Sequence, residues 1–215
     1  MADIYMRCRP VIAKRMGVPP SEGMASEIGL LATGGGGFSS GRALGLAVVW
    51  GGFPSREESM IEFITHESVH SSVLPFAEIW NEPIATYIGN LVMIDTGHEK
   101  EALRRIESTI RRASRIDPSM KIYDLRGKGP AGPRELTNGE ANNIHWGKTY
   151  WVLEQLRKDN PQVLAQYFQA KRRLATPDKI KQYDENVTVA ILSIAMQRDL
   201  FPWFREHGIE VDRSK

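Results

Sequence analysis

Residues 65–70 read Thr-His-Glu-Ser-Val-His and contain the pattern His-Glu-x-x-His. Residues four apart lie on one face of an α-helix, so the side chains of His66 and His70 would point the same way and could bind one metal ion. Glu67 follows His66 directly, where its carboxylate can take a proton from a metal-bound water. We therefore expect a catalytic metal site with Zn²⁺ as its cofactor.

A catalytic zinc ion needs three protein ligands and one open position, and the pattern supplies two ligands. The third should be a carboxylate or an imidazole on a neighbouring element. Glu82 is our first candidate because it lies near the start of a second predicted helix, where the small side chain of Ala85 would let the two helices approach closely. Glu78 is the second choice, and His98 and His145 are further alternatives.

Two supporting roles also have candidates. Zinc lowers the pKa of a bound water, which could then attack a peptide carbonyl. The oxyanion that forms in this attack needs a hydrogen-bond donor besides the metal. We expect this donor to come from the C-terminal half, with Tyr150 as the first candidate and His145 and Tyr183 as alternatives. Zinc-bound histidines usually donate their second N–H to an outer partner, and Thr86, one turn after Glu82, could be that partner.

The elements that position these residues can be predicted from local signals. Residues 43–50 are rich in β-forming residues and are bounded by glycines, which predicts a strand. We expect this strand to lie along the edge of the cleft and to pair with an extended substrate peptide. Ser55 and Glu58 form a capping box, which predicts that the motif helix covers residues 56–72.

The remainder of the chain is predicted to be mostly helical. Capping boxes at Thr96 and Glu99 and at Thr137 and Glu140 predict two helix starts. The glycine-rich stretch at 33–41 lacks the Gly-Lys-Ser/Thr ending of a phosphate-binding loop. We interpret it as a flexible turn between strands or, in functional terms, as a mobile rim beside the cleft. The arginine-rich face of the helix after Thr96 is interpreted as a solvated surface. Helices are predicted over residues 5–16, 78–94, 96–115, 138–158, 160–174, 184–197 and 200–206.

Length and composition bound the class of protein. The 215 residues fit one domain, and we expect residues 1–215 to form a single catalytic domain, with a strand-containing lobe at 1–74 and a helical lobe at 75–215. A net charge of +2 gives no basic footprint for nucleic acid. The single cysteine, Cys8, excludes an internal disulfide and a cysteine-based zinc site.

Cellular location is only weakly bounded by the sequence. No apolar run reaches the length of a transmembrane helix. The first residues are not typical of a signal peptide, so we expect either an intracellular protein or a piece of a longer, exported chain.

The motif resembles a known family of enzymes. The His-Glu-x-x-His pattern followed by Asn-Glu-x-x-Ala-x-Tyr at 81–87 resembles the gluzincin metallopeptidases, whose third ligand is a glutamate on the next helix. The short gap of eleven residues between His70 and Glu82 is similar to that of the enhancin-like, mucin-targeting branch. The Gly-Gly-Phe-Pro-Ser turn at 51–55 and the ending that starts with Asp-Leu-Phe-Pro-Trp-Phe at 199–204 are similar to the same branch. The proline after the glutamate, where glycine is commoner, departs from the pattern.

The resemblance implies a zincin-like α+β fold, a peptidase activity and protein or peptide substrates, including glycosylated proteins. It also implies a secreted or extracellular site of action. Two alternatives stay open, a binding module that keeps the fold without activity and an aminopeptidase that anchors a free N-terminus at Glu57, Glu58 or Glu78. The sequence does not indicate an oligomeric state.

Overall fold

A computed structural model describes residues 2–18, 25–32, 36–39, 43–48, 54–73, 79–129, 134–174 and 184–214. Within these ranges the chain is α+β and mostly helical, with one small sheet. The strands are β1 (Glu27–Leu31), β2 (Gly37–Ser39) and β3 (Ala43–Ala47). The helices are α1 (Ala2–Met16), α2 (Glu57–Val73), α3 (Asn81–Asp95), α4 (Glu99–Ser114), α5 (Asn138–Asp159), α6 (Val163–Leu174), α7 (Glu185–Met196) and α8 (Phe201–Glu206).

The sheet has the strand order β1–β3–β2, with β1 parallel and β2 antiparallel to β3. The predicted strand at 43–50 is thus present as β3 but is the central strand. The expectation that it lies open at the cleft edge for a substrate peptide is wrong, because β1 and β2 already occupy its two sides. β2 is an outer strand of the sheet, and it lies inside the glycine-rich stretch that we interpreted as a rim.

One face of the sheet packs on α2. Leu44 and Leu46 of β3 are fully buried and form a small cluster with Ile64 of α2 and Tyr5 of α1. The tyrosine hydroxyl also donates a hydrogen bond to the carbonyl of Ala25, 2.5 Å away, just before β1. These contacts fix the sheet against the helix that carries the His-Glu-x-x-His pattern.

α2 and α3 approach each other closely. Ala85 is fully buried, and a Cβ added at Gly89 would lie 3.0 Å from both the carbonyl oxygen and Cγ of Glu62. Any larger side chain at residue 89 would push the two helices apart. The small residues of α3 therefore bring it against α2, as the sequence predicted for Ala85.

The start of α3 is anchored from two directions. Trp80 is fully buried, and its ring packs edge-on against Phe204 of α8 with a centroid distance of 5.9 Å. Nε2 of His145 on α5 lies 2.7 Å from the carbonyl oxygen of Ile79. Because a carbonyl can only accept, this histidine nitrogen carries a proton and donates it. Both contacts hold the backbone immediately before Glu82.

Helix boundaries agree with the predictions to within a few residues, with one error in capping. The capping box at Thr137 and Glu140 is confirmed, since the threonine hydroxyl accepts from the Glu140 N–H and the glutamate accepts from the Thr137 N–H at 3.0 Å. The box predicted at Thr96 is wrong. Its hydroxyl donates back to the carbonyl of Val92 at 2.8 Å, and His98 is the residue that precedes α4. No described helix is long and apolar enough to cross a membrane.

Candidate metal centre

Three predicted ligands converge between α2 and α3. Nε2 of His66 lies 3.0 Å from Nε2 of His70, one turn further along α2. The carboxylate of Glu82, in the first turn of α3, has one oxygen 3.2 Å from Nε2 of His66 and the other 3.3 Å from Nε2 of His70. One ligand atom from each residue fits within a 4.8 Å cluster. The structure therefore brings together the His66, His70 and Glu82 side chains that the sequence singled out.

These distances suit a tetrahedral ion. Zinc binds imidazole nitrogens and carboxylate oxygens at about 2.0–2.2 Å, so neighbouring ligand atoms in a tetrahedral site lie about 3.3 Å apart. The two histidine nitrogens lie 3.0 Å apart, and each lies 3.2 or 3.3 Å from a different oxygen of Glu82, so each closest pair is near that spacing. Two neutral imidazoles and one carboxylate are also a ligand set of catalytic zinc sites. The donor set and its spacing both fit zinc.

An outer partner holds the first histidine. Nδ1 of His66 lies 2.9 Å from the hydroxyl of Thr86, one turn after Glu82 on α3. When Nε2 of His66 faces a metal, Nδ1 carries the ring proton and donates it to this hydroxyl. Thr86 is therefore placed for the role that the sequence predicted. α3 supplies both a candidate ligand and the hydrogen bond that orients another.

Glu67 lies beside the cluster in a narrow slot. Glu67 is only 5% exposed. A Cβ added at Gly37 of β2 would lie 2.6 Å from the carboxyl carbon and from Oε1 of Glu67. Burial raises the pKa of Glu67, although the nearby His66 and His70 act in the opposite direction. A carboxylate with a raised pKa accepts a proton more readily, which suits a general base.

The electrostatics of the three ligands are coupled. Hydrogen bonds from His66 and His70 hold the pKa of Glu82 well below its usual range. Burial by itself would lower the pKa of His66, but the hydrogen bond to Glu82 and the charges of Glu67 and Glu62 outweigh it, so this pKa is raised. Without a metal the cluster therefore favours a cation on His66 beside an anion on Glu82.

A cavity of about 530 Å³ opens over the cluster. It is lined by the three ligand residues and Glu67, by Glu62, Phe63 and Thr86, and by residues 36–39 of the β2 strand region. β2 therefore forms part of the cavity wall, together with α2 and α3. An extended peptide lying in this space would run beside an outer strand of the sheet.

The other predicted site residues lie elsewhere. Tyr150 does not line this cavity. Tyr150 is almost fully buried and lines a neighbouring cavity, and its hydroxyl accepts a 3.3 Å hydrogen bond from Nδ2 of Asn90. This placement gives no support to a role as oxyanion donor. His145 bonds to the backbone before α3, and His98 lies 4.0 Å from Glu57. Glu78 and Tyr183 lie outside the described residues.

The anchors predicted for an aminopeptidase are also placed away from the cavity. Glu57 forms an ion pair with Arg7 on α1, and Glu58 forms one with Arg56 at 3.2 Å. Neither carboxylate lines the space above the ligands. The described residues thus offer no support for a free N-terminus bound by these two side chains.

Three contributors to the site have roles that the sequence did not predict. Gly37 packs against Glu67, and Trp80 and His145 fix the start of α3. The Trp directly before Asn-Glu was a usable signal, because large aromatic residues at helix starts are commonly anchored in a core. No local pattern links Gly37 or His145 to the motif, since both contacts are made over long sequence separations.

Tyr87, the tyrosine of the Asn-Glu-x-x-Ala-x-Tyr stretch, lies away from the metal ligands. Tyr87 is fully buried, and its hydroxyl donates a 2.5 Å hydrogen bond to Glu154 of α5 and accepts one from Nε of Arg157 at 3.1 Å. Burial and the Glu154 charge raise its pKa far above the usual value. Tyr87 therefore links α3 to α5 and does not line the metal cavity.

Comparisons with known protein families, with curated proteins and with solved structures find no match for this chain.

Proposed function

We propose that this chain is a zinc-dependent peptidase with a zincin-like arrangement of its catalytic helix and sheet. The observation that carries the proposal is the convergence of His66, His70 and the Glu82 carboxylate, whose closest approaches are 3.0 to 3.3 Å, with the buried carboxylate of Glu67 beside them. The residues would hold zinc through two imidazole Nε2 atoms and one carboxylate. The gluzincin resemblance of the sequence supports the same assignment.

The residues of the chain have distinct tasks in this proposal. A zinc ion at this position supplies Lewis-acid chemistry and lowers the pKa of a bound water towards neutrality. Glu67 takes a proton from the attacking water and passes it to the leaving amine. The slot between α2 and Gly37 keeps the Glu67 carboxylate directed at the cavity. Thr86 keeps the ring of His66 in its metal-binding orientation.

The substrate is a protein or peptide bound in extended form. β2 borders the cavity and is an outer strand of the sheet, so a substrate backbone can pair with it and leave its side chains in the cavity. Pairing through main-chain groups gives binding with little dependence on sequence. By resemblance alone, the substrates include glycosylated proteins outside the cell.

A peptidase-like binding module without activity is the rival function. It predicts zinc binding without hydrolysis, whereas an active enzyme needs the proton transfer assigned to Glu67. The buried, cavity-facing position of that carboxylate favours the enzyme.

The test measures zinc content and peptide hydrolysis on the same preparations. We expect about one zinc per chain and measurable cleavage of an unfolded protein substrate. Glu67→Gln should keep the zinc and lose activity by about 10²- to 10⁴-fold. Glu58→Gln is the matched control, because this residue lies on α2 but outside the cavity, and it should retain both properties. A fully zinc-loaded chain that cleaves no protein or peptide would establish the rival.

A further inference from the structure

A second cavity, of about 320 Å³, adjoins the metal cavity. Glu62 and Thr86 line both, so the two spaces meet at these residues. Residues of α3, α4 and α5 form the remaining wall, including the side chains of Asn90, Arg112 and Tyr150. A peptide that reaches the metal could therefore place a neighbouring residue in this second space.

The wall of the second cavity carries an unbalanced positive charge. Arg104 and Arg105 share the carboxylate of Glu101, at 2.7 and 2.9 Å, and Arg105 also lies 4.0 Å from Glu62. Arg112 is exposed, and within the described part of the chain its guanidinium donates to the hydroxyl groups of Ser108 at 3.2 Å and Thr109 at 3.1 Å. Among the described residues, no carboxylate lies within ion-pair distance of Arg112. Three arginines thus face two carboxylates, which leaves room for one negative charge.

A buried acceptor in the same wall also lacks a partner. Asn90 is 2% exposed, and its Nδ2 donates to the carbonyl of Thr86 at 2.9 Å and to the hydroxyl of Tyr150 at 3.3 Å. Its Oδ1 has no hydrogen-bond partner within the described part of the chain. Buried acceptors of this kind are rarely left unpaired in folded proteins. Because that oxygen is itself buried from solvent, it is an unsatisfied atom inside the wall and not a contact point for a ligand.

We propose that the second cavity is a subsite for an acidic amino-acid residue of a peptide. The carboxylate binds the exposed guanidinium of Arg112 in the cavity wall. A carboxylate is a monoanion, which matches the single unbalanced charge, and guanidinium groups bind carboxylates in paired hydrogen bonds. The proposal rests on the proposed peptidase function and adds a substrate preference to it, for an acidic residue close to the scissile bond.

Binding is measured without hydrolysis, so that this subsite and the peptidase function can fail separately. The probes are blocked pentapeptides, acetyl-Ala-Ala-Glu-Ala-Ala-amide and its Gln counterpart, titrated by calorimetry into the full zinc-loaded Glu67→Gln chain. We expect the Glu peptide to bind at least about tenfold more tightly than the Gln peptide. A third probe, acetyl-Ala-Ala-Gln with a free C-terminal carboxylate, distinguishes a side-chain carboxylate from a terminal one, because tight binding of this probe would assign the subsite to the end of the chain.

Substitutions on α4 locate the effect. Arg112→Gln should remove the preference for Glu, and Arg112→Lys should restore part of it, because the charge returns without the paired geometry. Arg111→Gln is the matched control, since this arginine is exposed, lies 4.0 Å from Glu107 and does not line the cavity. Equal affinity for the Glu and Gln peptides, or an equal loss in the Arg111 and Arg112 variants, would overturn the proposal.

A measurement on the otherwise unaltered chain keeps the test decisive if an Arg112 variant does not fold. Raising the salt concentration should weaken binding of the Glu peptide and leave that of the Gln peptide nearly unchanged, because only the former gains an ion pair. A salt response that is the same for both peptides would contradict the subsite. Cleavage of neutral peptides without any acidic preference would remove the subsite and leave the peptidase intact.

Discussion

The backbone of Gly37 lies directly against the carboxylate of Glu67. A Cβ at residue 37 would be 2.6 Å from both the carboxyl carbon and Oε1 of Glu67, closer than real Cβ contacts allow. β2 is therefore more than a wall of the cavity, because it sets the position of the group that we assign as the general base. Only glycine leaves that carboxylate in its present place.

Gly37→Ala tests this contact. The added methyl group meets the flexible end of the Glu67 side chain, so the carboxylate should swing away while the fold tolerates the change. We expect kcat to fall by at least about tenfold, since a displaced base loses much of its contribution to proton transfer, and zinc content to stay the same. Gly29→Ala is the control, because a Cβ there meets only the carbonyl of Leu44 at 3.8 Å. An unchanged kcat in Gly37→Ala would show that the contact does not position the base.

Thr86→Val should weaken zinc binding. The substitution keeps the size of the side chain but removes the hydroxyl that bonds to Nδ1 of His66. Loss of such an outer partner typically costs about 10- to 100-fold in metal affinity. Competition with a zinc chelator measures the change. Thr96→Val, at the end of the same helix, removes a hydroxyl that bonds only to backbone carbonyls and should leave the affinity unaltered.

Zinc affinity should rise with pH through a midpoint above 6.5. The pKa of His66 is raised from 6.5 in the metal-free chain, mainly by its hydrogen bond to Glu82, and a metal can bind only the neutral ring. The stability of the metal-free fold changes with pH in the opposite direction to the zinc affinity. The protonated His66 stabilises this fold fully below pH 6.5, and the contribution is lost as the pH rises through the raised pKa. NMR titration of the His66 ring gives the midpoint, which Glu82→Gln should lower. A midpoint below 6.5 would contradict the pairing.

Tyr87→Phe should destabilise the fold without affecting hydrolysis. The substitution removes a buried hydroxyl that connects Glu154 and Arg157 of α5 with α3. Loss of a buried hydrogen bond to a charged group costs about 1.5–3 kcal/mol of unfolding free energy. Chemical denaturation measures the loss, and kcat per folded molecule should stay unchanged because Tyr87 lies outside the metal cavity. A fall in kcat with unaltered stability would instead place this tyrosine in the reaction.

The sequence predicted the helix that carries His66 and His70 and the side chain that joins them because both depend on local spacing. The spacing of four residues between His66 and His70 places both on one face of a helix. A reversal of the chain followed by a second helix could then bring Glu82 to the same point. Thr86 followed from the same period on α3. In each case a short stretch of chain carries the information.

The neighbours across the chain could not be predicted in the same way. The composition of residues 43–47 indicates a strand but not which strands lie beside it, so the central position of β3 was missed. Thr96 and Glu99 have the spacing of a capping box, yet the threonine bonds back to Val92 in the preceding helix. Arg112 belongs to a helix face that was predicted to be solvated, and its side chain is exposed; only the packing of α4 beside α3 and α5 puts a cavity next to it.

The division of the ligands between α2 and α3 gives a bound ion a second consequence. An ion held by His66, His70 and Glu82 would join two helices that otherwise meet through small side chains and close backbone contacts. Its binding free energy would then count towards folding, by about 2.7 kcal/mol when free zinc is a hundredfold above the dissociation constant. The thermal midpoint of the chain would rise with the zinc concentration around it, and a chelator would lower it.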